Sequence, residues 1–175
     1  MRKPIILAVA GGIALVSSPA MAQEADPETV FYAGASAGYH DVGDIPFVGS
    51  IDGGIYGGYV GVDVPVTEIV FVGLEANYHF GSGDIDGEYG VAAKLGANVG
   101  ENGQVFLRGG YQEVDFDLTN IFGGGVPAGV DDSDGDYLVG VGGQINTKSN
   151  FGFRVVVDTI AFDTVRATAG IQYNF

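Results

Sequence analysis

From about residue 30 onward, apolar and polar positions alternate with a period of two, in eight runs of about ten residues separated by turn chemistry. The runs are Val30 to His40, Gly54 to Val64, Val70 to Phe80, Glu88 to Val99, Gln104 to Val114, Asp136 to Asn146, Phe151 to Ala161 and Val165 to Phe175. The fourth is the cleanest: Tyr89, Val91, Ala93, Leu95, Ala97 and Val99 alternate with Glu88, Gly90, Lys94, Gly96 and Asn98. In the first, Phe31, Ala33, Ala35, Ala37 and Tyr39 oppose Gly34, Ser36, Gly38 and His40. Helix is disfavoured throughout, because each interior glycine costs a helix about 1 kcal/mol, whereas Val, Ile, Tyr, Phe and Thr supply strand formers. The expected fold is therefore all-β, with eight antiparallel strands.

The connections carry a second signal. Those after strands two, four and six are short, the last two being Gly100 to Gly103 and Thr147 to Asn150. Those after strands one and five are longer, Val42 to Gly53 and Asp115 to Gly135. Short turns at one end and longer loops at the other match a membrane barrel with periplasmic turns and extracellular loops. An even strand number also returns both termini to one side. A soluble sandwich or a lipocalin-type barrel would alternate as well, with its apolar face inside around a core or ligand.

Two features favour an apolar face turned to lipid, and so a transmembrane up-and-down β-barrel. Aromatic residues at run ends, among them Tyr39, Tyr78, Tyr89, Tyr137, Phe153 and Tyr173, share the apolar face, as in interfacial girdles. The opposite face collects Lys94, Arg108, Arg154 and Arg166 together with Glu75, Glu88 and Asp158. Inside a barrel these would form a luminal charge network, of which Glu75, Lys94, Arg108, Arg154, Asp158 and Arg166 are the candidate members, because an unpaired charge there is costly. Eight strands leave an interior that side chains fill, so these residues are expected to plug the barrel. Small luminal positions such as Gly34, Ser36, Gly90, Ala92 and Gly140 are expected to leave room for water, which keeps a narrow pore as the runner-up.

The first 22 residues read separately. Arg2 and Lys3 precede an apolar run from Ile5 to Val16, and Ala20-Met21-Ala22 is a small-x-small cleavage pattern. Twelve apolar residues make about 18 Å of helix, short of a ~30 Å hydrocarbon core. Residues 1–22 are therefore expected to be a cleaved signal peptide and residues 23–175 the barrel domain.

Composition narrows the function classes. The formal net charge is −15, yet charged residues are only 17% and hydrophobic residues 46%, too apolar for a disordered acidic chain. Seven Lys and Arg cannot build a nucleic-acid groove. The absence of Cys removes disulfides, zinc-thiolate sites and Cys nucleophiles. Two stretches, Gly83 to Glu88 and Asp131 to Asp136, contain D-x-D-G, part of a calcium-loop pattern. Neither holds the full run of alternating ligands, so Asp132, Asp134 and Asp136 are weak metal candidates and no cofactor is expected.

The signal-like opening, the eight runs, "FYAGASAGYH" at residues 31–40 and "ATAGIQYNF" at residues 167–175 resemble small Gram-negative outer-membrane β-barrel proteins of the porin-family or opacity type. In architecture these are relatives of the OmpA membrane domain and the OmpX/Ail group. The resemblance implies an outer-membrane location, lipid and lipopolysaccharide as surroundings, and the barrel-assembly machinery as a partner. The last strand would be its recognition signal, through Ile171, Tyr173 and Phe175. It implies a structural or adhesion-like role, with the loop from Asp115 to Gly135 as the contact surface for an extracellular partner. An acidic rim there is expected to bridge to lipopolysaccharide through divalent cations. His40 and His79 are expected to be ordinary polar residues at the extracellular strand ends. Lipid A deacylases of similar size pair a His with a Ser two residues on, whereas His40 is followed by Asp41-Val42 and His79 by Phe80-Gly81, so no enzyme is expected.

Overall fold

The computed structural model describes residues 28–45, 49–122 and 132–175; the segment expected to be a signal peptide lies outside them. Eight antiparallel strands follow one another around a closed barrel: β1 (Val30–Ile45), β2 (Gly49–Pro65), β3 (Val70–Gly81), β4 (Ile85–Val99), β5 (Gly103–Phe116), β6 (Ser133–Asn146), β7 (Phe151–Ile160) and β8 (Thr164–Asn174). β1 closes the ring against β8 from Tyr32↔Asn174 to Asp41↔Val165. Closure leaves the membrane-level wall without a free sheet edge, as a β structure in lipid requires.

The period-two pattern sorts the side chains as the sequence predicts. On β3, Phe71, Glu75, Asn77 and His79 are buried, while Val72, Leu74, Tyr78 and Phe80 are exposed on the outer wall. Exposed aromatics form a complete band near the loop end: Tyr39, Tyr56, Tyr78, Tyr89, Tyr111 and Tyr137, one per strand from β1 to β6, with Phe162 between β7 and β8. Two pairs of neighbours in this band touch: the Tyr78 and Tyr89 rings stack with centroids 6.3 Å apart, and Tyr137 meets Phe162 at 5.3 Å. At the end holding the termini the band is partial. Phe31, Phe151, Phe153, Tyr173 and Phe175 occupy only β7, β8 and β1.

The strands outrun the predicted segments at the loop end. The stretch from Val42 to Gly53, expected as a loop, is largely strand, because β1 and β2 stay paired to Ile45↔Gly49 across an irregularity between Asp41 and Gly43. A bulge absorbs an extra residue and increases twist, and Gly43 supplies a φ of 94°. β6 likewise begins at Ser133, and a short helix α1 (Leu118–Phe122) lies in the remaining long connection, residues 117–132. Asp117 caps that helix by accepting the backbone N–H groups of Thr119 and Asn120.

Glycines on the inner wall do not leave the expected water space. A Cβ on Gly34 would strike Tyr59, one on Gly90 the Gln112 side chain, and one on Gly140 the Asp158 carboxylate. Each is a seat for a large side chain from the neighbouring strand. Phe71 lies in the same way over Gly96, and Phe106 over Gly142. Gly57 answers a different need. There the backbone of Tyr78 and His79 comes so close that no side chain fits, as tight coiling of a small barrel demands.

Candidate functional site

Four layers fill the lumen. Nearest the loop end, Ile55, Ile85, Val114, Leu138 and Ile160 form a buried apolar cluster. A layer of charges follows. Beyond it, Phe71, Phe106 and Val156 pack together. At the end holding the termini, side-chain amides interlock: Gln144 Nε2 donates to Gln104 Oε1 at 3.1 Å and to Asn146 Oδ1 at 2.7 Å, and Gln172 Nε2 donates to Asn174 Oδ1 at 2.7 Å.

The charge layer brings all six candidate network residues together around two carboxylate hubs. Glu75 Oε1 accepts from Arg108 at 2.8 Å, Arg154 binds both Glu75 oxygens, and Tyr32 donates its hydroxyl to Oε2 at 2.9 Å. Lys94 lies 2.8 Å from Asp63 and 4.0 Å from Glu75. Nearer the loop end, Arg166 joins Glu88 and Asp158, reaching the latter at 2.7 Å, and Arg108 Nε approaches the other Asp158 oxygen at 3.3 Å. Aromatic faces cover the cations. Arg154 sits 4.2 Å from the Tyr59 ring centroid and Lys94 4.4 Å from that of Tyr32. Among the described residues the lumen thus buries four cations and the four carboxylates Asp63, Glu75, Glu88 and Asp158, which balance.

Both histidines belong to this layer, not to the rim. His40 is 1% and His79 3% exposed, because the strands continue past the expected ends and their parity points these side chains inward. His40 Nδ1 is 3.0 Å from Glu88 and its Nε2 3.1 Å from Thr164 Oγ1. The fold also places Ser36 Oγ 2.8 Å from His79 Nε2, with His79 Nδ1 facing Glu88 at 3.5 Å. That order resembles a nucleophile–base–acid relay, but it is broken. The 3.5 Å separation is no hydrogen bond, His79 Nδ1 has no partner, and Glu88 is committed to His40 and Arg166. Asp63, Tyr32, Phe71 and Phe106, which the sequence reading left out of the network, have the luminal parity of their strands. Only their neighbours across the barrel reveal what they do.

The loop end is acidic. Asp41, Asp52, Asp84, Asp117, Asp132 and Asp163 mark its strand ends and connections, and among the described residues it carries no Lys or Arg. The metal candidates do not converge: Asp132 and Asp134 are exposed, Asp136 is half-buried, and among the described residues no three potential ligands come together. Along an extended strand, residues two apart lie about 6.6 Å apart, too far for three carboxylates in sequence to share one ion. The barrel-assembly candidates Ile171, Tyr173 and Phe175 lie on the outer wall of β8 and just beyond it, with Tyr173 and Phe175 in edge contact at 5.2 Å.

A closed eight-stranded barrel with an apolar outer wall, aromatic bands and a polar, filled interior is a transmembrane barrel of the outer-membrane kind. The chain belongs to the outer membrane protein beta-barrel domain family, whose model matches residues 8–175. Among solved structures it is similar to the attachment invasion locus protein Ail of Yersinia pestis, with a TM-score of 0.55 and 15% identity over 84% of this chain and 98% of that one. Ail is also known in complex with the heparin analogue sucrose octasulfate. The N-terminal barrel of Pseudomonas aeruginosa OprF gives 0.51 at 12% identity, and Neisserial surface protein A 0.51 at 14%, each over 83% of this chain and 97% of the other. At such identities the likeness is one of fold. No curated protein matches the sequence.

Proposed function

We propose that this protein is a surface-contact barrel of the outer membrane. In this reading the signal peptide is removed after Ala22, the barrel domain spans 23–175, and the lumen is a structural plug. The turns and termini are periplasmic, and the loop end faces outward as an adhesion-like surface that includes residues 115–135. The observation that carries it is the division of charge. Every described cation of the barrel wall is spent on a luminal carboxylate, while the loop end keeps an uncompensated acidic surface. Four filled layers support a plug over a pore. Lipid and lipopolysaccharide surround the wall, and the aromatic bands sit at the two interfaces. A polyanion such as the sucrose octasulfate bound by Ail does not suit this rim, where like charge would repel it.

Two experiments test the reading. Planar-bilayer recording of the refolded barrel is expected to be silent; discrete conductance steps that change in Arg108→Ala would establish a pore instead. Cells carrying a variant with residues 117–132 replaced by a short Gly-Ser turn are expected to lose surface contact while keeping the gel shift of a folded barrel. Unchanged adhesion would remove that loop from the contact surface. The assembly role of the last strand has its own check. Phe175→Ala should lower the amount of barrel inserted in cells severalfold, yet leave the unfolding free energy of refolded protein within about 0.5 kcal/mol, as for surface changes.

A further inference from the structure

The filled part of the lumen ends short of the loop-end rim. Its outermost layer is the apolar cluster of Ile55, Ile85, Val114, Leu138 and Ile160, with Val42 and Phe116 packed against it. Over this layer lies a hollow of about 460 Å³, within the span of small-molecule pockets, about 300–1,000 Å³. Val42, Val114, Phe116 and Ile160 give it apolar walls. It differs in kind from the grooves of the outer wall, such as that between Leu74 and Tyr111, whose surface is apolar and meets lipid.

Carboxylates crown the same hollow. Asp134 and Asp136 pair across the sheet with Val114 and Gln112, whose side chains are luminal, so their own point inward. Asp163 stands on the turn between β7 and β8. All three line the hollow, and among the described residues the loop end holds no Lys or Arg to neutralise them. His40 and Thr164 line it too, but are taken up with each other at 3.1 Å. The carboxylates do not converge as metal ligands. An inorganic cation would answer their charge yet leave the apolar walls in water. Apolar walls beneath unmatched negative charge therefore suit a ligand that carries both an apolar body and a positive charge.

We propose that this hollow binds a small amphiphilic ammonium ion, a single positive head on a short alkyl or aryl tail. The tail lies on Val114, Phe116 and Ile160, and the ammonium is held among Asp134, Asp136 and Asp163 at the mouth. Removing the tail from water supplies affinity, about threefold for each methylene. The carboxylates supply selectivity, repelling anions and giving a neutral analogue no ionic partner. A phospholipid ammonium fits poorly, because its phosphate would stand beside the same carboxylates. The inference goes beyond the contact role proposed above and asks only that the loop end meets water.

The test is an NMR titration of the refolded, isotope-labelled protein in nanodiscs of zwitterionic lipid, with empty nanodiscs as the blank for partitioning. Hexylammonium is expected to bind with a Kd below about 1 mM, shifting the backbone amides of residues 114–116, 134–136 and 160–164. Butylammonium, two methylenes shorter, should bind about tenfold more weakly. Hexanol and hexanoate should each bind at least tenfold more weakly than hexylammonium. Asp134→Asn combined with Asp136→Asn should weaken hexylammonium at least tenfold and flatten its salt dependence. Asp134→Asn alone, at an exposed position, should cost severalfold and serves if the double variant does not fold. Phe116→Ala should narrow the gap between hexylammonium and butylammonium. Equal binding of hexylammonium and methylammonium would reduce the site to an acidic surface and overturn the proposal. Equal binding of hexanol would overturn it too, as would shifts confined to the outer wall, or none at about 10 mM in protein showing the gel shift of a folded barrel.

Discussion

Glu75→Ala is expected to lower the stability of the refolded barrel by about 3–5 kcal/mol, the cost of stranding buried charges by removing their partner. The carboxylate is 3% exposed and is the shared acceptor of Arg108, Arg154 and Tyr32. Its loss leaves Arg154 without a carboxylate partner and Arg108 with Asp158 alone, each guanidinium being 5% exposed. Against a total stability of about 5–15 kcal/mol, that shift is readable as a lower urea midpoint in micelles. The double replacement Glu75→Gln with Arg154→Gln should recover much of the loss, because removing both partners strands less charge. An unchanged midpoint for Glu75→Ala would mean that water solvates the network and the lumen is not a plug.

Leu74→Arg, one residue earlier on β3, is expected to cost about 2–4 kcal/mol for the opposite reason: it places a charge on the lipid side near the middle of the wall. Leu74 is 63% exposed on that wall, which in water would make it an unremarkable place for arginine. Folding yield in lipid vesicles, compared with Leu74→Ala, separates the two media. A tolerated arginine would contradict a lipid-facing outer wall. Adjacent positions that cannot exchange their chemistries are the energetic meaning of the period-two pattern.

That pattern made much of the barrel legible. Parity alone separated Lys94, Arg108, Arg154 and Arg166 from Leu74, Leu95 and Val139, because a strand has only two sides, and the clustered charges and aromatic run ends marked the first set as the inner one. Parity also pointed His40 and His79 inward, yet they read as rim residues because the alternation seemed to stop beside them. Glycine and aspartate interrupt the pattern at residues 41–53, and a bulge there carries the pairing on where no hydrophobic rhythm marks it. Partners were illegible for a different reason. Glu75 and Arg154 are 79 residues apart and meet only because eight strands close. Phe71 and Phe106 look misplaced on a polar face until Gly96 and Gly142 are seen to make room for them. At the loop end β6 stays paired with β5 up to Ser133 but with β7 only up to Leu138, a difference of a few residues that no local signal announces.

The unequal aromatic bands set how the molecule hangs in its bilayer. A full ring of anchors at the loop end pins that rim to one depth on every side, while the anchors at the other end cluster on β7, β8 and β1. The protein is thus suspended from its loop-end edge. Where the membrane thickens or thins, the adjustment falls on the lower half of β2 to β6, and the barrel leans about its fixed rim instead of rising or sinking as a whole.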